Sequence, residues 1–308
     1  MEVSVIICSR NRSGSLDRTL QSLRETTGLG AREWEVVVVD NDSEDDTRQV
    51  VEHHKELSRF PVRYTHEKQR GLSFARNRGF MEARGKLIAF TDDDVIVDKA
   101  WVGNIVGAFR EYDAACIGGK ILPIWDKPRP KWLTGNLYGY LALLDYGDTA
   151  FSLDKPLIWG ANFAVKARAL HYYGPFNTRL GRIPGKLYAG EETDFFARLL
   201  RGSQKIVYAP KVVVHHCIPE ERMKKSYFRR WAYDQGELAG ILSGEDHSRK
   251  VPVSSSSNIR KLLSSISAFF TALMEMNESC FPRQLELFGI LGLLMGMLKC
   301  KLVKMNGP

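Results

Sequence analysis

Leu87-Ile88-Ala89-Phe90-Thr91-Asp92-Asp93-Asp94-Val95 is an apolar run that ends in three consecutive carboxylates. The run has the character of a buried strand over Lys86–Phe90, which sets the acids at its carboxyl end. Open α/β sheets bind their ligands at that edge. Clustered carboxylates repel one another unless a cation lies among them. The stretch therefore implies an α/β sheet with a metal-assisted nucleotide site. The plain competitor is a solvated acidic turn, since Asp is common in turns and charge runs are usually exposed. Three Asp without an intervening Lys or Arg, behind so apolar a run, weigh against it.

Outward from this stretch, strand and helix periods alternate. Val3–Cys8, Trp34–Val39 and Val62–Thr65 read as strands, and Ser15–Glu25, Asp46–Leu57 and Ser73–Ala83 as helices, Leu16, Leu20 and Leu23 showing the helical spacing. Such alternation with short connections implies βαβ units, hence a mainly parallel sheet flanked by helices, every strand ending on one common edge. From Trp101 to about Trp159 the pattern loosens, with Trp125, Trp132, Tyr138, Tyr140 and Tyr146 among Pro and Gly. Aromatic loops on a rigid sheet can wall a binding site, but packing is the commoner role of any one such ring. Thr193–Leu200 reads as helix and Lys205–Val214 as strand. After Glu220 the chain reads as helical to its end, interrupted by the polar stretch Gly244–Asn258, in which Ser254–Ser257 is expected to be a flexible loop.

Size and composition exclude several classes. With 308 residues, 44% of them hydrophobic, the chain can bury a substantial core. The net charge of +8 suits phosphorylated or anionic partners. Nucleic acid is not expected, because no recognition signature accompanies the charge. Cys8, Cys116, Cys217, Cys280 and Cys300 are odd in number, widely spaced and without a CxxC pair, as expected of reduced cytosolic thiols. The amino terminus carries no export signal pattern. Leu287 to Leu298, an apolar run broken only by glycines, is shorter than the roughly 20 residues that span a bilayer.

Several further clusters fall where ligands are expected. Val36-Val37-Val38-Val39-Asp40-Asn41-Asp42-Ser43 ends an apolar strand in acceptors for a base or ribose, or in a cap for the next helix. Gly71 to Gly79 carries Arg76, Asn77 and Arg78 beside the acidic edge. Gly190-Glu191-Glu192-Thr193-Asp194 opens a helix with three carboxylates, which can serve the helix dipole or act as a general base. His215 and His216 end another apolar run, and in a strand they point to opposite faces, so at most one reaches the edge.

In order along the chain, Ser4-Val5-Ile6-Ile7-Cys8-Ser9-Arg10-Asn11-Arg12, Val39 to Ser43, Ala75 to Gly79, Asp92 to Asp94, Trp159-Gly160-Ala161-Asn162, Gly190 to Asp194 and His216 to Arg222 resemble the family 2 glycosyltransferases of the GT-A fold. The resemblance covers about the first 235 residues. It implies a metal-dependent, inverting hexosyl transfer from a nucleoside-diphosphate sugar, a UDP-sugar being the expectation, to a hydroxyl of a glycan or lipid-linked acceptor, with Mn2+ or Mg2+. It implies a GT-A domain over 1–235, divided into a nucleotide-sugar half (1–100) and an acceptor half (101–235), followed by a helical extension over 236–308. Ser9, Asn11, Asp40, Asp42, Arg76, Asp92 and Asp93 become the candidate donor-binding residues, with Asp40 on the base, Arg76 nearby and Asp92 on the ribose. Asp94 and His216 become the candidate metal ligands, although the triple Asp leaves the choice of carboxylate open. Glu192 falls on the position of the catalytic base, with Glu191 before it at an acceptor or donor contact. The family more often has Asp as base, so Glu191, Glu192 and Asp194 remain alternatives.

Three competing classes fit less well. A dehydrogenase would carry GxGxxG after the first strand, where this chain has Ser9-Arg10-Asn11-Arg12-Ser13-Gly14-Ser15. A nucleotidyltransferase would carry a Gly-rich turn there too. A non-catalytic sugar-nucleotide or glycan-binding protein with the same fold would not need acids at every expected position. Finally, apolar residues near the carboxyl terminus, among them Phe269, Phe270, Leu287, Phe288, Leu291, Leu294 and Leu298, lie between Arg229, Arg230, Lys261, Lys299, Lys301 and Lys304. That pattern implies either reversible attachment to the cytoplasmic membrane face or a helix pair packed through Gly289, Gly292 and Gly296.

Overall fold

The computed structural model describes residues 1–245 and 280–305, and between them Ser264, Ser267 and Thr271. The expected loop at Ser254–Ser257, with Lys261, Phe269 and Phe270, lies outside the described residues. The chain forms two compact units. Unit 1 comprises Met1–Pro128, Gly135–Pro184 and Gly190–Pro219; unit 2 comprises Arg129–Thr134, Gly185–Ala189 and Glu220–Pro308.

Unit 1 is a mixed sheet covered by helices. Strands β1 (Val3–Ser9), β2 (Trp34–Asp40), β3 (Val62–His66) and β4 (Leu87–Asp92) run parallel in the order β3-β2-β1-β4. Their connections are helices α1 (Ser13–Arg24), α2 (Thr47–Leu57) and α3 (Leu72–Glu82). All seven residues of β2 are buried, as a strand covered on both faces requires. Register matters most at the carboxyl ends, where Ser9 lies opposite Asp40 and Cys8 opposite Asp92. Parallel pairing thereby brings acids from distant parts of the sequence to one edge.

The second half joins differently. After β5 (Val95–Val97), α4 (Trp101–Tyr112) and β6 (Cys116–Trp125) come β7 (Phe151–Ser152), β8 (Asn162–Lys166), α5 (Ala167–Tyr173), α6 (Glu191–Arg201) and β9 (Ile206–Ile218). Strand β8 lies antiparallel between β4 and β6, and β5 and β7 pair antiparallel with β9, whereas β6 and β9 run parallel. The sheet is therefore parallel through its first four strands and mixed beyond them.

The loosened region after Trp101 contains α4 and β6, which the sequence reading had not resolved. Trp101, Val102, Ile105, Val106 and Phe109 form the buried face of α4, a helical period that was legible. Strand β6 was masked by Gly118, Gly119 and Pro123. Gly119 is needed there because a Cβ would lie 2.0 Å from the Val212 carbonyl oxygen. Most aromatic rings of this region pack. Tyr146 meets Tyr208 at 5.2 Å between centroids and Trp125 meets Tyr138 at 5.9 Å.

Beneath the sheet, Phe90 stacks on Phe163 at 4.8 Å, Phe176 meets Phe195 at 5.3 Å, and Phe163 meets Phe196 at 5.1 Å. Phe195 and Phe196 are wholly buried, so they lock the rotation of the helix whose first turn carries Glu191 and Glu192.

In unit 2, α7 (Lys225–Glu245) packs against α8 (Cys280–Met305). A Cβ on Gly236 would lie 1.9 Å from the Gly289 carbonyl oxygen, and one on Gly292 2.0 Å from that of Tyr233. The glycines are what lets the two backbones touch. Trp132 packs edge-on against Phe228 at 5.3 Å and Phe281 at 5.0 Å. Counting only the apolar run from Leu287 underestimated this element. The helix is continuous over 26 residues, and Cys280–Cys300 is by length and composition sufficient to cross a bilayer, because Cys280, Phe281 and Leu285 extend the apolar content beyond Glu286. Leu291, Met295, Leu298 and Leu302 form an exposed stripe along it.

Candidate active site

The aspartates close β4 and the turn behind it. Asp93 and Asp94 are buried, and Arg12, from the loop after β1, bridges them: its Nη1 donates to Asp93 Oδ1 at 2.6 Å and its Nη2 to Asp94 Oδ2 at 2.7 Å. Ser9 Oγ donates to the other Asp93 oxygen at 2.7 Å. His216, on β9, is brought in by the β5–β9 pair, which sets it opposite Val95. Its Nε2 lies 3.2 Å from Asp94 Oδ2, and its Nδ1 lies 3.0 Å from the Leu141 carbonyl oxygen. His215 is on the opposite face of the strand, as the alternation requires.

Arg76, on α3, is buried and holds the other side. It contacts Glu191 directly, lies 3.9 Å from Glu192 Oε2 and 3.7 Å from Asp92 Oδ1. Gly160 makes room for it, since a Cβ there would lie 2.2 Å from Arg76 Nη2. That is a physical reason for glycine in Trp159-Gly160-Ala161-Asn162. Two guanidiniums, of Arg12 and Arg76, are thus shared among the carboxyl groups of Asp92, Asp93, Asp94, Glu191 and Glu192.

Excess negative charge out of water shows in the titration. Burial pushes Asp93 up to about 7 against the pull of Arg12, with Asp94 adding to the rise. Asp92 is raised by burial and by Asp94. Glu191 is pushed up to about 8 by burial and by Glu192, against Arg76. Cys8, behind the cluster, is held as the thiol, pushed up to about 12 by burial.

The three carboxylates of α6 differ in engagement. Glu191 is tied to Arg76, and Asp194 accepts from Arg198 Nε at 3.1 Å one turn along the helix. Among the described residues, Glu192 Oε2 and the second oxygen of Glu191, Oε2, are both buried without a hydrogen-bond partner. The remaining candidates lie around the end of β2. Asp40 accepts from Tyr64 Oη at 2.7 Å and from the Ser43 amide at 2.9 Å. Asp42, with φ +63°, accepts from Arg70 Nε at 2.6 Å, which holds it below the usual carboxylate range. Asn11, with φ +53°, ties the loop after β1 to the loop after β2 by accepting from the Glu44 amide at 2.7 Å. The structure thus groups Ser9, Arg12, Asp93, Asp94 and His216 in one chain of contacts, Arg76, Asp92, Glu191 and Glu192 in a second, and Asp40 with Tyr64 in a third. Arg12 and Tyr64 were not singled out from sequence. A cation in the Ser9–Arg12 segment was visible, but its partners were not.

Among the described residues, no group of three or more His, Cys, Asp or Glu side chains stands at ligand spacing for a metal. A divalent cation of the Mg2+ or Mn2+ kind fits nonetheless. Such ions are held by one or two carboxylates, the remaining positions going to water and substrate phosphates. Asp94 with His216 offers an oxygen and a nitrogen donor, beside Asp92 and Asp93, which burial first and Asp94 second raise above the usual carboxylate range.

Comparison with known proteins bears on the family and the fold. The family model described as "Glycosyl transferase family 2" matches residues 4–174. The succinoglycan biosynthesis protein ExoM of Rhizobium meliloti is 26% identical over 248 residues, covering 80% of this chain and 76% of that protein. The glucosyl-dolichyl phosphate glucuronosyltransferase of Haloferax volcanii is 23% identical over 246 residues, covering 79% and 77%. Among solved structures, a mannosyltransferase of Pyrobaculum calidifontis in complex with GDP-Man and Mn2+ superposes with a TM-score of 0.65 at 16% identity, covering 97% of this chain and 87% of that one. S. aureus TarS residues 1–349 with UDP-GlcNAc gives 0.57 at 16%, covering 100% and 92%. At such identities the structural likeness is one of fold, and the fold is GT-A. With more than half of its residues matched by the family model, this chain is a glycosyltransferase and belongs to glycosyl transferase family 2.

Proposed function

We propose that the chain transfers a sugar, with inversion, from a nucleoside-diphosphate sugar to a hydroxyl of a glycan or lipid-linked acceptor, with Glu192 as general base and Asp94 with His216 as the protein's ligands to Mn2+ or Mg2+. The observation that carries this reading is the unequal engagement of the acids on α6. Glu191 is committed to Arg76 through Oε1 and Asp194 to Arg198, whereas Glu192 stands 3.9 Å from Arg76 and, among the described residues, makes no hydrogen bond through its buried Oε2, as Glu191 makes none through its own Oε2. A desolvated carboxylate with a free lone pair is what proton removal from an attacking hydroxyl needs. Asp40, Asp92 and Asp93, with Ser9, Asn11 and Asp42 in the adjoining loops, would bind the donor, a UDP-sugar being favoured. Arg76 holds Glu191 and steadies the charge beside it. When bound, the divalent cation supplies Lewis-acid stabilisation to the departing diphosphate. Attack by the acceptor oxygen on the face opposite the departing diphosphate, in one displacement, inverts the anomeric carbon.

The test is hydrolysis and transfer with a panel of UDP-glucose, UDP-GlcNAc, UDP-glucuronate and GDP-mannose, with and without Mn2+. Release of nucleoside diphosphate that depends on Mn2+ and falls by about 10²–10⁴-fold in Glu192→Gln, at retained donor affinity, is expected. Binding without turnover would make the chain a sugar-nucleotide-binding protein. A silent Glu192→Gln with an inactive Glu191→Gln would move the base to Glu191. We further propose attachment to the cytoplasmic membrane face through the stripe Leu291, Met295, Leu298 and Leu302, which is exposed on a helix bearing Arg283 and Lys299.

A further inference from the structure

The chain leaves unit 1 after Pro184 and re-enters it at Gly190, one residue before Glu191. The five intervening residues belong to unit 2, and α7 holds nearly every one of them. Arg230 Nη2 donates to the Gly185 carbonyl at 2.7 Å, and Gln235 Nε2 to that of Leu187 at 2.6 Å. The Leu187 amide donates to Asp234 Oδ2 at 2.8 Å. Lys186 donates to Asp234 Oδ1 at 3.1 Å and to Glu237, and Tyr188 Oη donates to Glu237 Oε2 at 2.8 Å. Lys299 of α8 closes the cluster on Glu237 Oε1 at 2.6 Å.

Asp234 and Glu237 are buried at 3% and 1% exposure, while their cations Lys186 and Lys299 stay partly exposed. Burial would raise Glu237, but the donors Lys186, Lys299 and Tyr188 outweigh it and bring the group down to about 2. Glu237 therefore stays ionised and keeps its grip across the working pH range. The segment that follows is held through side chains further into the helix, Glu191 by Arg76 and the buried Phe195 and Phe196, and not at its first backbone groups. Gly190, with φ +106°, begins α6 without any side-chain cap. A helix start without a cap frays more readily than a capped one, and here the first turn carries Glu191 and Glu192.

We propose that Lys186, Asp234 and Glu237 are positioning residues, which fix the strap Gly185–Ala189 on α7 and through the continuous backbone set the placement of Glu191 and Glu192 at the start of α6. The inference rests on the assignment of Glu192 as base. It gives unit 2 a part in turnover that needs no contact between its own side chains and the donor.

The experiment compares full-length wild type with Lys186→Met, the charge-balanced pair Lys186→Met/Glu237→Gln, and Lys186→Arg. Amide hydrogen exchange is read over residues 186–196, and steady-state release of nucleoside diphosphate is read with the best donor of the panel above. Loss of the strap should speed exchange at Glu191–Asp194 by about tenfold or more and lower kcat by about 10–100-fold, with donor KM changed less than about threefold, since a displacement near 1 Å can cost that much. Lys186→Arg should restore both. In a Glu192→Gln background, Lys186→Met should lower kcat by less than about twofold, because the two changes act through one group. Unchanged exchange, wild-type kcat, or full additivity with Glu192→Gln would overturn the inference. An impaired Glu192→Gln beside a normal Lys186→Met defeats the strap alone, whereas a silent Glu192→Gln defeats the base assignment and the strap with it.

Discussion

Replacing Arg12 by Met should destabilise the metal-free protein and tighten its response to Mn2+. Arg12 makes the two shortest ion pairs to the aspartate cluster, 2.6 Å to Asp93 and 2.7 Å to Asp94. A hydrogen bond to a charged group contributes about 1.5–3 kcal/mol. The aspartate side chains are 4% and 3% exposed, but the guanidinium is 36% exposed, so solvent screens part of the pair. The loss then falls between the near-zero value of a surface pair and the 3–5 kcal/mol of a broken buried one, about 2–4 kcal/mol in all. At roughly 2 °C per kcal/mol for a chain of this size, the unfolding midpoint in EDTA should drop by about 4–8 °C. Because Arg12 holds an oxygen of Asp94, a Mn2+ ion bound there as proposed would have to compete with it in the wild type. Removing a competitor worth at least about 1.4 kcal/mol lowers the half-saturating Mn2+ concentration by about tenfold or more. A Mn2+ titration followed by thermal shift, without nucleotide, reads both quantities. An unchanged or higher midpoint concentration would refute the reasoning and remove Asp94 from the cation's ligands.

Three more outcomes are expected. Gly160→Ala places a Cβ 2.2 Å from Arg76 Nη2, and should push the guanidinium from Glu191, with a kcat loss of about 10–100-fold and about 1–3 kcal/mol of overpacking, read by kinetics and denaturant melts. Glu191 is raised from 4.5 to about 8 and Asp93 from 3.8 to about 7, so the folded state binds protons that the unfolded state releases. Stability conferred by the protonated groups, complete at the lowest pH, is lost as pH rises to 8. Melting curves in EDTA should fall steadily from pH 5 to pH 8, and Glu191→Gln should flatten the slope; a flat wild-type curve contradicts the shared burial of these acids. The full chain should sediment with phosphatidylglycerol vesicles more than with neutral ones, and Leu291→Asp/Leu298→Asp should abolish it, while equal binding to both vesicle types sinks the electrostatic part.

The parallel half of the sheet was legible because its causes are local. Val36 to Val39 and Val3 to Cys8 are apolar without interruption, the connecting helices repeat at their own period, and every β–α turn must emerge at one edge. Asp40, Asp92 and Asp94 could therefore be assigned to that edge from order alone. The motif series from Ser9 to Arg222 carried the family as well. Elements whose sequence serves a neighbour were not legible in this way. Strand β6 carries Gly119 because the Val212 carbonyl and Asn162 crowd it, so its composition reports its surroundings in place of its own conformation.

Which charges meet was decided only by tertiary structure. Glu191, Glu192 and Asp194 are equivalent on paper, three acids in one helical turn. Arg76 arrives from α3 to take Glu191, while Arg198 takes Asp194 within the helix itself. Arg12 and His216 reach Asp94 from opposite directions along the chain, through the loop after β1 and the β5–β9 pairing. Likewise the residues just before Glu191 look like an unremarkable loop, and it is α7, more than forty residues onward, that supplies their anchors. Periodicity and order are written along the chain and survive without coordinates. The engagement of a charge depends on which side chains other elements bring within about 4 Å, and that is a property of the folded chain.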